Sequence, residues 1–266
     1  MTSLLNWPDA QHIYLSPHLD DVALSCGGTI YQQAQRGERI AVITVFAGSP
    51  PASAPLSAFA RTLHERWQAS APAGSGSADP PAIRRAEDHR AISVLGPEIE
   101  VVHLPLPDCI YRRDPSGGRA LYASEEAIFG IVQLADPALK ALATAPPFPE
   151  GATLYAPLGV GCHVDHQIVR WAVDHWGLPA GQVRYYEDYP YSTRPGALSL
   201  ALEEREKWQP IVVPLPRAAL EAKIRAIAQY TSQISTFWPD IETMAQALRT
   251  HAQRCGGERL WVRHAP

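Results

Sequence analysis

Six residues in two short segments carry the ligand types of a catalytic metal centre. Pro17-His18-Leu19-Asp20-Asp21 supplies one imidazole and two adjacent carboxylates; His163-Val164-Asp165-His166 supplies two imidazoles and a carboxylate. Nitrogen and oxygen ligands suit Zn²⁺, and three protein ligands with one position open to water make the catalytic form of such a site. His18 and Asp21, with one of His163 and His166, complete that set of three. Water on such an ion loses a proton near neutral pH. A neighbouring carboxylate that is not a ligand can act as general base, and Asp20 is placed for this on an irregular turn. Two imidazoles and one carboxylate suit Fe²⁺ as well. Each segment alone reads equally well as structure, since Asp-Asp after a strand caps helices and His-x-x-His can be a solvated or core face. Their joint occurrence at two strand ends favours chemistry.

The elements that must position these groups follow an alternating pattern. His12 to Leu15 is an apolar run of buried-strand type, ended by Pro17. A helix over Leu24 to Gln35, stopped by Gly37, and a β-branched strand over Arg39 to Phe46 complete a βαβ unit. Helices are expected at Ser57 to Gln68, Ala82 to Leu95 and Ser124 to Leu134, and a strand at Ile99 to Leu104. Thr153 to Ala156 reads as a short strand leading into the second segment, with a helix from Val164 to Trp176 behind it. A strand at Gln182 to Asp188, a helix near Leu198 to Lys207, a strand at Ile211 to Pro214, helices near Arg217 to Tyr230 and Ile241 to Cys255, and a strand at Arg259 to Arg263 complete the chain. This rhythm predicts an α/β fold: a Rossmann-like three-layer sandwich around a mostly parallel sheet. In such sheets ligands sit past the carboxyl ends of the strands, where both segments fall. The expected organisation is one domain over residues 1–266, with a flexible loop insertion at 69–81, rich in Ala, Gly, Ser and Pro.

Composition narrows the function. A net charge of -4 supplies no basic field to recruit nucleic acid. No stretch approaches the roughly 20 apolar residues of a membrane span. Met1 to Trp7 shows no basic region followed by an apolar run, so no signal peptide is expected. The four cysteines are widely spaced, as suits reduced thiols in a cytoplasm. A homo-oligomer is compatible with all of this. A non-catalytic nucleotide-binding protein is disfavoured, because the first strand-to-helix turn lacks G-x-G-x-x-G and carries carboxylates that repel phosphate.

Pro17-His18-Leu19-Asp20-Asp21 followed by Gly27-Gly28 resembles the P-H-x-D-D…G-G motif of the LmbE-like (PIG-L) zinc deacetylases, and His163-Val164-Asp165-His166 resembles their H-x-D-H motif. This family comprises N-acetylglucosaminyl-phosphatidylinositol de-N-acetylases and bacterial N-acetylglucosaminide deacetylases. The resemblance implies that His18, Asp21 and His166 hold Zn²⁺ and that Asp20 is the general base. It further implies that His163 assists the tetrahedral intermediate or the leaving amine, with Asp165 orienting it; a protonated His163 held by Asp165 would do this. Arg84, with Glu87 three residues on, falls where the family carries Arg-x-x-Glu toward the sugar, and Asp108 where an aspartate meets sugar hydroxyls. The bland alternatives are a surface ion pair and a loop cap. Gly161 stands where some sugar-thiol deacetylases carry a tyrosine, so any such role is absent or filled from elsewhere. The implied partner is a small-molecule N-acetylated amino-sugar conjugate; a non-sugar N-acyl compound is the alternative. Glu187-Asp188-Tyr189-Pro190-Tyr191 reads equally as a sugar-site lining or a packed strand end, and Tyr111-Arg112-Arg113 as a contact for an anionic substrate group or, as is usual for loop arginines, as solvated residues.

Overall fold

The structure is a computed structural model that describes residues 4–50, 55–69, 79–179 and 181–264. Most of the anticipated insertion at 69–81 lies outside the described residues. The elements in chain order are β1 (His12–Ser16), α1 (Asp21–Gln35), β2 (Ile40–Thr44), α2 (Ala58–Ala69), α3 (Pro80–Leu95), β3 (Glu100–His103), α4 (Glu125–Ile128), α5 (Pro137–Ala141), β4 (Thr153–Pro157), α6 (Val164–His175), β5 (Val183–Tyr186), α7 (Ala197–Ala201), β6 (Trp208–Val213), α8 (Arg217–Ile227), α9 (Thr231–Phe237), α10 (Ile241–Cys255) and β7 (Glu258–Arg263).

The strands form one sheet in the order β3-β2-β1-β4-β5-β7-β6. The first five are parallel; β7 runs antiparallel to β5, and β6 antiparallel to β7. β1 is central, pairing His12 with Ile40 on one side and with Thr153 on the other. The strand order reverses there, and at such a switch point an open sheet leaves a crevice. Alternate side chains enter opposite layers. Ile13, Leu15, Ile43 and Leu154 pack with Ile168 and Val169 of α6, whereas Tyr14, Val42 and Tyr155 pack with Val22 and Ile30 of α1, Ile92 of α3 and Ile227 of α8. Both faces of the sheet are thus covered, which explains why β1 and β2 read as continuous apolar runs.

Gly27 and Gly28 serve this packing. A Cβ on Gly27 would lie 3.1 Å from Lys223 Cγ, and one on Gly28 only 2.5 Å from Leu215 Cδ2. The close approach lets Glu258, at the start of β7, accept the backbone N–H groups of Gly28 (2.9 Å) and Thr29 (2.8 Å), and Lys223 Nζ lies 2.7 Å from the same carboxylate.

Two differences from the sequence reading have clear causes. The helix expected over Ser124 to Leu134 stops after one turn, with Gly130 just beyond its end, and leaves Ile131 83% and Leu134 95% exposed. Helix α9 was not anticipated, because Thr, Ser and Gln give it weak propensity. It forms where Glu87 of α3 accepts Thr231 Oγ1 (2.7 Å), Ser232 N–H (2.9 Å) and Ser232 Oγ (2.6 Å), an N-terminal carboxylate supplied from 144 residues away.

Candidate active site

Both motif segments emerge where β1 and β4 end. Past β1, Ser16 Oγ donates to the His18 carbonyl (2.6 Å), and the His18 N–H donates to Asp21 Oδ2 (2.7 Å). This tight turn launches α1 at Asp21. Asp20 precedes the helix without capping it, so its side chain remains available to the cleft. Past β4, the backbone turns through positive φ at Gly159, Gly161 and Cys162 before α6 begins. His163 caps α6 through its ring: Nδ1 accepts the Asp165 N–H at 3.2 Å.

Asp21 Oδ2 lies 3.2 Å from His18 Nδ1 and 3.2 Å from His166 Nε2. For a tetrahedral ion with bonds of about 2.0–2.1 Å, neighbouring ligand atoms stand about 3.3 Å apart. Both contacts of Asp21 therefore stand at the spacing of neighbouring ligands on one ion, and His18, His163 and His166 also lie close enough together to hold one. Each imidazole also meets a carboxylate at its far nitrogen: His18 Nε2 faces Asp165 Oδ2 at 2.9 Å, and His166 Nδ1 faces Asp188 Oδ1 at 2.6 Å. Such pairs fix the tautomer and orientation of metal-binding histidines.

This arrangement corrects the expected orientation of His163. The Asp165 carboxylate turns toward His18, Arg112 and the Cys109 N–H, and only its backbone amide reaches His163. The expectation of a protonated His163 also fails in the ion-free chain. Burial and the neighbouring His18 charge hold its pKa well below the ordinary histidine value. With Nδ1 accepting a backbone N–H, the neutral ring carries its proton on Nε2 and is a donor there.

The carboxylates are tuned apart. Burial, reinforced by Asp21, raises Asp20 to about 6, against the pull of Arg84 and His18. Asp21 is held well below the usual range by His166 and His18 despite its burial. Burial opposes protonation of His18 and His166, yet Asp165 and Asp21 raise the first and Asp21 and Asp188 lift the second to about 9. A bound cation competes for those same nitrogens.

The cleft above these groups measures about 240 Å³. Arg84 lies between Asp20 (3.7 Å) and Asp108 (3.8 Å), its guanidinium 4.8 Å over the Trp67 ring. Asp108 joins the site through Oδ2, 3.9 Å from His18 Nε2, while its Oδ1 caps the turn at Ile110. Glu87 does not pair with Arg84; it anchors α9, which lines the cleft through Gln233, Thr236 and Phe237. The space beside Gly161 is taken by Tyr191, whose Cβ lies 2.6 Å from where a Gly161 Cβ would stand.

Two buried charged residues support these groups in ways the sequence did not indicate. Asp188 is buried behind His166 and held by the Val160 N–H at 2.8 Å; its only signal was a carboxylate at a strand's C-terminal end. Arg112 is 3% exposed and joins Asp165 (2.5 Å) to Asp136 (3.0 Å), with its guanidinium 4.7 Å over Phe46. Nothing local in the sequence distinguishes it from its half-buried neighbour Arg113. Removing the Asp188 charge should loosen His166: Asp188→Asn is expected to weaken metal affinity by about 10- to 100-fold, measured by competition with a chromogenic chelator, with the far-UV spectrum unchanged.

Residues 13–176 match the model of the GlcNAc-PI de-N-acetylase family, PIG-L. The chain is 30% identical over 256 residues to the 2'-N-acetylparomamine deacetylase of Streptomyces fradiae, covering 94% of this chain and 80% of that protein. It is 26% identical over 247 residues to the 2'-N-acetylparomamine deacetylase of Niallia circulans, covering 87% and 86%. Among solved structures, the zinc-inhibited form of a teicoplanin deacetylase superposes with a TM-score of 0.69 at 26% identity, covering 95% of this chain and 98% of that one.

Proposed function

The chain belongs to the PIG-L family of GlcNAc-PI de-N-acetylases, and from that premise we propose that it removes the N-acetyl group from an amino sugar carried on a small-molecule conjugate. The observation that carries this reading is the pair of carboxylate-backed imidazoles, His18 and His166, flanking Asp21 with Asp20 alongside. His18, Asp21 and His166 hold the metal ion in this reading, Zn²⁺ by ligand type with Fe²⁺ as the other candidate. When bound, the ion supplies a Lewis acid for the amide carbonyl and acidifies a water.

The chain's own residues do the rest. Asp20 takes the proton of the attacking water and passes it toward the departing nitrogen. A group lifted to about 6 exchanges protons readily near neutrality. His163 donates from Nε2 to the oxygen on which negative charge develops, the role left to a ring whose Nδ1 is already engaged. Arg84 and Asp108 position the sugar hydroxyls at the cleft wall. Asp165 and Asp188 hold the two metal-binding rings in place.

We read the chain as one domain acting in the cytoplasm. Its cysteines are free, and among the described residues no helix is long and apolar enough to cross a membrane. The test is acetate release from N-acetylglucosamine conjugates by the purified chain. Activity should vanish on exhaustive chelation and return with Zn²⁺ or Fe²⁺. Acetate release that persists after the metal is gone would refute the metal-dependent reading.

A further inference from the structure

His163 belongs to two clusters of metal-binding side chains. It shares the first with His18 and His166. The second joins it to Cys109 and Asp165: all three are buried, and one ligand atom of each lies within 4.8 Å of the others. Cys109 begins a short turn, Cys109–Tyr111, which the Asp108 side chain caps at the Ile110 N–H. That turn sets Cys109 Sγ 4.0 Å from His163 Nε2 and lets the Cys109 N–H donate to Asp165 Oδ2 at 3.1 Å. A thiolate and an imidazole on one tetrahedral ion stand about 3.6 Å apart, so a few tenths of an ångström of movement closes the pair around a cation. Asp165 has an acceptor position to spare, since His18, Cys109 and Arg112 supply three donors to a carboxylate that takes about four. Cys109 also packs in an apolar cluster with Ala60, Ile110, Tyr122 and Val164, and space-filling alone explains its burial. It does not explain a thiol set against an imidazole nitrogen and two carboxylates. Burial, Asp165 and Asp108 hold that thiol well above its usual pKa. The same carboxylates favour a thiolate that carries a divalent cation.

We propose that Cys109, His163 and Asp165 form a second cation site, selective for thiophilic ions such as Zn²⁺ and Cd²⁺ over Mn²⁺, and that filling it silences the enzyme. Thiolate ligands select soft ions, whereas hard ones prefer oxygen. The silencing rests on the deacetylase reading above; the site itself does not. On binding, the S–H proton leaves to solvent and the sulfur bonds to the ion. The ring proton moves from Nε2 to Nδ1, Nε2 bonds to the ion, and the Asp165 N–H loses its acceptor. Displacing a proton and a helix cap makes this site weaker than the set of His18, Asp21 and His166, so it fills second. Once it is filled, His163 has no Nε2 proton to give to the developing oxyanion.

The experiment titrates Cd²⁺ into the full chain loaded with one equivalent of Zn²⁺ and follows thiolate-to-cadmium charge-transfer absorption together with acetate release from N-acetylglucosamine. The set of His18, Asp21 and His166 holds no sulfur, so Cd²⁺ exchanging there gives no such absorption. The absorption is expected to rise to one Cd²⁺ per chain while acetate release falls by about 10²-fold, the cost of losing one oxyanion donor. Mn²⁺ should do neither. Cys162, exposed beside His163, is the competing thiol. Cys162→Ser should keep both responses, and Cys109→Ser should lose both. Absence of thiolate absorption in the wild-type chain overturns the proposal without any variant, as does absorption that survives Cys109→Ser. Absorption at Cys109 with acetate release unchanged overturns the silencing. A chain that releases no acetate before Cd²⁺ is added refutes the deacetylase reading alone, and the absorption still decides the site.

Discussion

Asp20→Asn is expected to lower kcat by about 10³-fold while metal content stays that of the wild type, because general-base catalysis contributes about 10² to 10⁴ and the proposed assignment makes Asp20 the base and not a ligand. The amide keeps the shape of the side chain and its approach to Arg84. It loses the one group in the cleft lifted into the neutral range, to about 6 in the ion-free chain, by burial and by Asp21. The wild-type kcat should therefore fall as pH drops through the carboxyl's pKa, which a bound cation moves downward, and the variant should lack that limb. Elemental analysis and acetate release separate the possibilities. Retained activity would show that Asp20 is not the base, and lost metal would show that it is a ligand.

The second large effect is on stability. Arg112→Ala leaves the buried Asp136 and Asp165 without their shared guanidinium, and removal of one partner from a buried ionic group costs about 3–5 kcal/mol. For a chain of this size that corresponds to a fall in Tm of roughly 6 to 20 °C. The pH dependence has a definite sign. Arg112 holds the folded pKa of Asp165 below its unfolded value, overcoming burial. The pair's contribution is therefore present above about pH 4 and fades as pH falls below it. The variant's deficit should be greatest at neutral pH and should shrink in acid, a pattern that thermal unfolding at several pH values would reveal. A uniform deficit would mean that lost packing against Phe46, and not charge, is responsible.

The sequence made the centre of the sheet legible because β1, β2 and β4 are buried on both faces and read as apolar runs. Both motif segments stood out in the sequence, since the groups of each come from one short stretch. The groups supporting them did not. Arg112 and Asp188 act through partners 53 and 22 residues away, and a loop arginine buried between two aspartates looks in sequence like one in water. The role of Asp165 was misassigned for the same reason: neighbours in sequence on a helix's first turn point apart, so a carboxylate two residues from His163 faces His18 instead. Helix α9 stayed hidden because Glu87 of α3 stabilises its start.

The clamp of Glu258 on Gly28 and Thr29 also bears on how the molecule comes into being. The carboxylate that secures the first helix is 230 residues downstream of the amide it accepts. During vectorial synthesis β1 and α1 leave the ribosome early, carrying His18 and Asp21, while the residue that fastens them is still to be translated. Closing so long a loop delays the final docking until nearly the whole chain is available. The nascent chain can therefore expose this motif turn to the cell well before the turn is fixed, and exposure of the motif and completion of the fold become events separated in time.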